Sequence, residues 1–151
     1  MILGFKTHIH GKPTYFKEKI LAPYTGNQDR FRPKIHTIRK GFRWKEGMRI
    51  HMATGIRTKN YHQFNQGIPQ LEHCTGTQDI WIYARDQRIL VWEKDRPEAS
   101  ETVTDGSWKE LDKAAMQELA LNDGFDSLQE LFDWFFPIFG GQIVHWTGVR
   151  H

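Results

Sequence analysis

Apolar and polar residues alternate from the first positions of the chain. Over residues 2–9, Phe5, Thr7 and Ile9 fall on one face and Lys6 and His8, continued by His10, on the other, which predicts a strand. Gly11-Lys12-Pro13 breaks it, and Pro13 suits the first turn of a short helix to about Ala22 that buries Phe16, Ile20 and Leu21 and stops at Pro23. Residues 23–33 read as a polar, basic loop. A strand follows from Lys34 to Arg39, then a turn at Trp44-Lys45-Glu46-Gly47. Met48 to Ala53 alternates cleanly, with Met48, Ile50 and Met52 inward. Gly55 to Gln70 loses the pattern and reads as a long loop or irregular insertion.

Two long strands come next, Leu71 to Ala84 and Arg88 to Lys94, turning at Arg85-Asp86-Gln87. Their centres are apolar on both faces, as in a covered sheet. Residues 95–107 are polar and turn-rich. The period then changes. Leu111, Ala115 and Leu119 predict a helix to Leu121, closed by Gly124 near C′. Asp126, with Gln129 at the capping-box position, predicts the start of a second helix. Leu128, Leu131, Phe132, Phe135 and Phe136 give it an apolar face. Pro137 and Gly140-Gly141 end it, and Gln142 to Thr147 is a last strand. The fold class is α+β: about six strands with flanking helices, curled into a compact barrel.

Composition narrows this picture only modestly. A chain of 151 residues without an internal repeat or linker fits one domain spanning 1–151, large enough for its own core. The formal charge of +3 is compatible with a phosphate-bearing partner without requiring one. Cys74 is the only cysteine, which excludes an internal disulfide and points to a reducing compartment. The N-terminus lacks the apolar length of a signal peptide and no run approaches a membrane span, so a cytoplasmic protein without a membrane partner is expected. No cofactor is implied. The eight histidines show no ligand spacing of a structural zinc site, and no metal site is expected. Cys74 follows His73, but neighbours on a strand point apart, so a buried, inert thiol is expected rather than a Cys–His nucleophile.

Candidate chemistry concentrates at Lys34-Ile35-His36-Thr37-Ile38-Arg39. Lys and Arg hold anions, His exchanges a proton near neutral pH, and Thr offers a hydroxyl. Beyond it, Arg39, Lys40, Arg43 and Lys45 interleave with Phe42 and Trp44, a basic-aromatic run suited to phosphates and unstacked bases. Arg57, Lys59, Tyr61 and Phe64 extend that surface. The binding set is Arg32, Lys34, Thr37, Arg39, Lys40, Arg43, Trp44 and Lys45. For each of these residues alone, a solvated charge or a core aromatic is the plainer reading.

The order Lys34-x-x-Thr37-x-Arg39, then Gly47 before a strand, then Asp123-Gly124-Phe125-Asp126-Ser127-Leu128 opening an amphipathic helix, resembles the ASCH domain. That family belongs to the PUA-like superfamily of small β-barrels associated with RNA, and the resemblance spans most of the chain. One branch hydrolyses the acetamide of N4-acetylcytidine with a Lys, a Thr and an acidic residue. The resemblance therefore implies Lys34, Thr37 and Asp123 as catalytic positions, the last being Glu in that branch. The chain departs from the family in the Arg32-Pro33 lead-in and in longer segments at 23–33 and 55–70.

A Thr hydroxyl is a weak nucleophile until a base takes its proton, and a lysine serves only if burial or cationic neighbours depress its pKa. Arg32 and Arg39 are the expected neighbours, whereas a close Asp123 would oppose the depression. In a regular strand Lys34 and Thr37 also point to opposite faces, so they converge only if the strand starts irregularly, which Pro33 favours. The leading expectation is a domain that binds RNA or a modified nucleoside. The alternatives are an amidohydrolase acting on an acylated nucleobase amine, with Lys34 as base and Thr37 as nucleophile, and a non-catalytic protein-interaction module. A cleft that gathers Lys34, Thr37 and Asp123 favours the enzyme; an open basic face favours the binder.

Overall fold

The computed structural model describes residues 1–93 and 108–151. The predicted strand end at Lys94 and the polar stretch 95–107 lie outside the described residues. The α+β expectation holds, but the sheet is more finely divided than the pattern indicated. Among the described residues, ten short strands form a five-stranded sheet, a three-stranded sheet and a small hairpin, rather than one closed six-stranded barrel.

The larger sheet has the order β4 (His36–Lys40), β10 (Ile138–His145), β7 (Gly76–Tyr83), β8 (Arg88–Trp92) and β9 (Trp108–Glu110), all antiparallel. Helices α2 (Lys113–Asn122) and α3 (Leu128–Trp134) cover one face, where Ile38, Ile80, Ile82 and Ile143 meet Leu119, Leu131 and Phe132. On the other face, Val144 and Trp146 join a second core with Leu3, Ile50 and Met52 from the smaller sheet, and with Ile20 of α1 (Phe16–Thr25). That smaller sheet has the order β1 (Ile2–Gly4), β5 (His51–Thr54) and β6 (His62–Gln63), with β1 parallel to β5. Alternation along β10 thus feeds two cores, Ile143 on one side and Val144 on the other.

Several boundaries shift for identifiable reasons. The predicted first strand is two pieces: β1 ends at Gly4, and His8–Ile9 (β2) turns back on Lys12–Pro13 (β3). Pro13 is therefore in a hairpin, not in a helix. Pro23 does not stop α1, which runs to Thr25 and closes on Gly26 in the left-handed region. Leu71 lies in a 3-10 turn (Pro69–Leu71) rather than in the long strand, and β6 sits inside the segment predicted as loop. The centre of β7 is covered on one face only: Ile80 and Ile82 are buried, while Trp81 and Tyr83 stack on the other side. α3 is capped by Ser127, whose hydroxyl accepts from the Glu130 N–H, and not by Asp126. Phe136 lies beyond the helix and is exposed, and β10 begins at Ile138, so Gly140 and Gly141 are strand residues. No helix among the described residues is long and apolar enough to cross a membrane.

Candidate functional site

Helix α2 ends in a Schellman turn. The Phe125 N–H donates to the Ala120 carbonyl (3.0 Å) and the Gly124 N–H to the Leu121 carbonyl (3.0 Å), with Asp123 as the C-cap. Gly124 has φ +91°, and a Cβ there would sit 3.0 Å from Lys34 Cδ and from the Phe16 ring. Glycine is thus required twice, by its backbone and by the lysine stem beside it.

Lys34 lies just before β4, at the irregular start that Pro33 favours. Its backbone N–H donates to the Lys19 carbonyl (3.1 Å), the acceptor that Pro23, lacking an N–H, leaves free in α1. The next N–H, of Ile35, donates to the Asn122 carbonyl (2.9 Å). These two bonds turn the backbone out of sheet register, so the side chains of Lys34 and Thr37 line the same cleft despite their three-residue spacing.

The cleft holds about 870 Å³, within the range of small-molecule sites. Lys34, Thr37 and Asp123 are buried at its floor, each less than 5 % exposed. The Lys34 ammonium donates to the Asp123 carbonyl and lies 3.2 Å from its Oδ1. The same Oδ1 accepts from the Ile38 N–H (3.0 Å) and faces His36 Nδ1 at 3.3 Å. Phe16 and Phe5 wall the amine, 4.9 and 5.8 Å from its nitrogen. Burial among these groups lowers the Lys34 pKa to about 8. Asp123 pushes the other way, and Arg39 and Lys19 add to the lowering. Desolvation outweighs the carboxylate, so an appreciable fraction of the amine is neutral near physiological pH.

Lys19, rather than Arg32, is the second cationic neighbour. It is held by the Gly124 carbonyl (2.7 Å) and Asp126 Oδ1 (3.0 Å), which also explains why Asp126 is not a cap. Arg32 is exposed, and its guanidinium donates to Asn122 Oδ1 at 3.1 Å, bracing the same helix end from outside the cleft. Arg39 lines the cleft beside the Phe5 ring (5.1 Å) and donates to the Gly4 carbonyl.

Other residues of the predicted basic-aromatic run do not gather here. Trp44 is a core residue, 6 % exposed, with its backbone held by the Gln142 amide, and it offers no face for stacking. Lys40, Arg43 and Lys45 are exposed and do not line the cleft. Of the proposed extension, Phe64 is buried against Phe5, whereas Arg57 and Tyr61 reach the cleft mouth. Lys6 and Trp134 complete that mouth, with Lys6 Nζ 5.1 Å from the Trp134 ring centroid. Neither carried a sequence signal: Lys6 read as the polar face of a strand, and Trp134 is absent from the apolar face that predicts the second helix.

Behind the floor lies a histidine cluster. His36 pairs with His145 across β4 and β10, and His36 Nε2 is 3.0 Å from His151 Nε2. His145 Nε2 lies 3.0 Å from Gln78 Oε1, which also accepts the His151 backbone N–H, so the His145 nitrogen is the donor. Burial lowers all three pKa values, to about 2 for His145, about 4 for His151, and below the ordinary imidazole value for His36. Neutral rings satisfy these contacts: His36 donates from Nδ1 to Asp123 and accepts at Nε2 from His151. No group of three or more metal-ligating side chains suitable for an ion occurs among the described residues. Comparison with family models, curated proteins and solved structures finds no match for this chain.

Proposed function

We propose that the chain is an ASCH-like domain of PUA-like architecture that binds a modified nucleoside in this cleft and hydrolyses an acyl group from its exocyclic amine. The observation that carries the reading is a buried lysine, its pKa lowered to about 8, at the floor of a cleft shared with a threonine hydroxyl and an aspartate. A polar floor of this kind suits turnover better than an open binding face or an apolar protein-docking groove.

Lys34 spends two donors on Asp123, so a neutral amine retains its lone pair for a proton. In the first step, Thr37 Oγ attacks the amide carbonyl carbon while its proton passes to Lys34 Nζ. Collapse breaks the C–N bond, and the proton moves from Lys34 to the departing base nitrogen, leaving an acyl ester on Thr37. Water then attacks that ester, giving its proton to Lys34. The carboxylic acid leaves and Thr37 regains its hydrogen. The positive charge of Arg39 on the cleft wall favours the oxyanion of both tetrahedral intermediates. Asp123 is a positioning residue: it fixes the amine and is itself fixed by His36 and the Ile38 N–H.

Chromatography of N4-acetylcytidine after incubation with wild type, Lys34→Ala and Thr37→Ala tests the reading. Wild type is expected to release cytidine, and each variant to lose roughly 10²- to 10⁴-fold in rate while remaining folded. No release by folded wild type would remove this substrate; retained nucleoside binding without turnover would leave a binding domain.

A further inference from the structure

We propose that the cleft mouth carries a phosphate subsite made by Lys6 and Arg57, so that the acylated base arrives on a phosphorylated nucleoside and not as the free nucleoside. The inference rests on the function proposed above and names the class of its substrate. The shared chemistry is a phosphate on the ribose, whether of a mononucleotide or of a residue within RNA.

Charge is the first argument. Lys6, Lys34, Arg39 and Arg57 line the cleft against one carboxylate, Asp123. At the floor the cations are committed, Lys34 to Asp123 and Arg39 to the Gly4 carbonyl. Lys6 and Arg57 are exposed, and among the described residues neither has a carboxylate within ion-pair reach. Cations at a cleft mouth without a carboxylate partner attract an anionic ligand.

Topology brings the two cations together. β1 and β5 run parallel with Gly4 opposite Ala53, and the Phe5 N–H continues the ladder to the Ala53 carbonyl (2.9 Å). The chain therefore leaves both strands at the same end, one carrying Lys6 and the other Arg57. Ile56 packs directly on Gly4, where a Cβ would come within 2.7 Å of its Cγ1. Arg57 is held in the left-handed region at φ +61°, in a loop closed by Thr58 N–H and Oγ1 on the Gly55 carbonyl (3.0 and 2.8 Å). Gly55 is indispensable there, because a Cβ would lie 2.3 Å from the Asn60 oxygen. The loop is built, and it presents Arg57 at the mouth.

Depth gives the third argument. The reactive groups are buried at the floor, so the acylated amine must point inward and leave its ribose at the mouth. There Trp134 (41 % exposed) and Tyr61 (46 % exposed) offer aromatic faces beside Lys6 and Arg57, a pairing that suits sugar, base edge and phosphate together.

The test compares kcat/KM for N4-acetylcytidine, its 5′-monophosphate and a short single-stranded RNA containing the same residue. It uses wild type, Lys6→Ala and Arg57→Ala, at low and high salt, with thermal unfolding as the folding control. Wild type is expected to prefer a phosphorylated substrate by about tenfold or more, the scale of one or two charge-assisted contacts, mainly through KM. Either variant and high salt are expected to shrink that ratio. Preference for the monophosphate identifies a mononucleotide, and preference for the oligomer alone identifies RNA. Turnover with a ratio near one, or a ratio unchanged in both variants, overturns the subsite and leaves the proposed function standing. No turnover of any of the three by folded protein overturns both.

Discussion

Lys34 shows how a residue acquires a role from what surrounds it. In water a lysine amine is charged at neutral pH; here burial among Phe5, Phe16 and the 123–125 turn brings it to about 8 despite an aspartate at 3.2 Å. Lys34→Arg keeps the charge and can still pair with Asp123, but a guanidinium does not give up its proton, so turnover is expected to fall as far as in Lys34→Ala. Thr37→Ser, which keeps the hydroxyl, is expected to retain turnover that Thr37→Ala loses. Asp123→Asn removes the charge that holds the Lys34 pKa up. The acid limb of its rate–pH curve is expected to move to lower pH, and an unmoved limb would argue against the pair. Residue type and spacing made Lys34 and Thr37 legible as candidates, whereas Asp123 entered only through the family resemblance. Trp44 was misread as a stacking surface because sequence gives a side chain's chemistry and not whether tertiary packing buries it, as the second core does here. Lys6 and Trp134, 128 positions apart, meet only through tertiary packing.

At the scale of elements, the site depends on how two helices end. Pro23 would be expected to terminate α1, yet the carbonyl it strands is taken by the Lys34 N–H, so a local defect becomes a positioning bond. Pro23→Ala restores an N–H that competes for that carbonyl. It is expected to leave thermal stability unchanged or higher while lowering kcat; equal loss of both would contradict this role. Gly124→Ala forces a side chain into the left-handed region and against Lys34 Cδ. A cost of about 1–2 kcal/mol, read from urea unfolding, and a larger loss of activity than that destabilisation explains are expected. The glycine at the end of α2 was readable because helix termination is a local problem. The cap of α3 was displaced by one residue because Asp126 is claimed by Lys19 and Lys12 from elements far away in sequence. Ser127 takes the cap instead. Strand limits followed partners rather than pattern, which is why β10 starts four residues before its predicted position.

Across the whole molecule, β10 is sandwiched between α2–α3 and the smaller sheet, and His36 and His145 are buried where β4 pairs with it, with half-buried His151 against them. The predicted strands held His36 and His145, but their pairing is a matter of register, which the pattern did not specify. Unfolded imidazoles bind protons near pH 6.5, whereas in the fold His36 is lowered, His151 titrates at about 4 and His145 at about 2. The unfolded chain thus binds more protons below 6.5, and stability present above that value is lost as pH falls toward the folded values. Between about pH 4.5 and 6, unfolding is expected to take up between about one and two protons onto His145 and His151, with His36 adding in the same direction, seen as a marked pH dependence of the urea midpoint. A midpoint flat over that interval would show that the rings are not buried neutral.

Lys34 as the base that activates Thr37 is tested most directly by the pH dependence of kcat/KM for N4-acetylcytidine, which reports the free enzyme's essential base. If neutral Lys34 activates Thr37, log kcat/KM rises with unit slope and levels off above a pKa of about 8. That transition is expected to move down in Asp123→Asn. A rate independent of pH through that value, or one that falls across it, would contradict the assignment of Lys34 as the base.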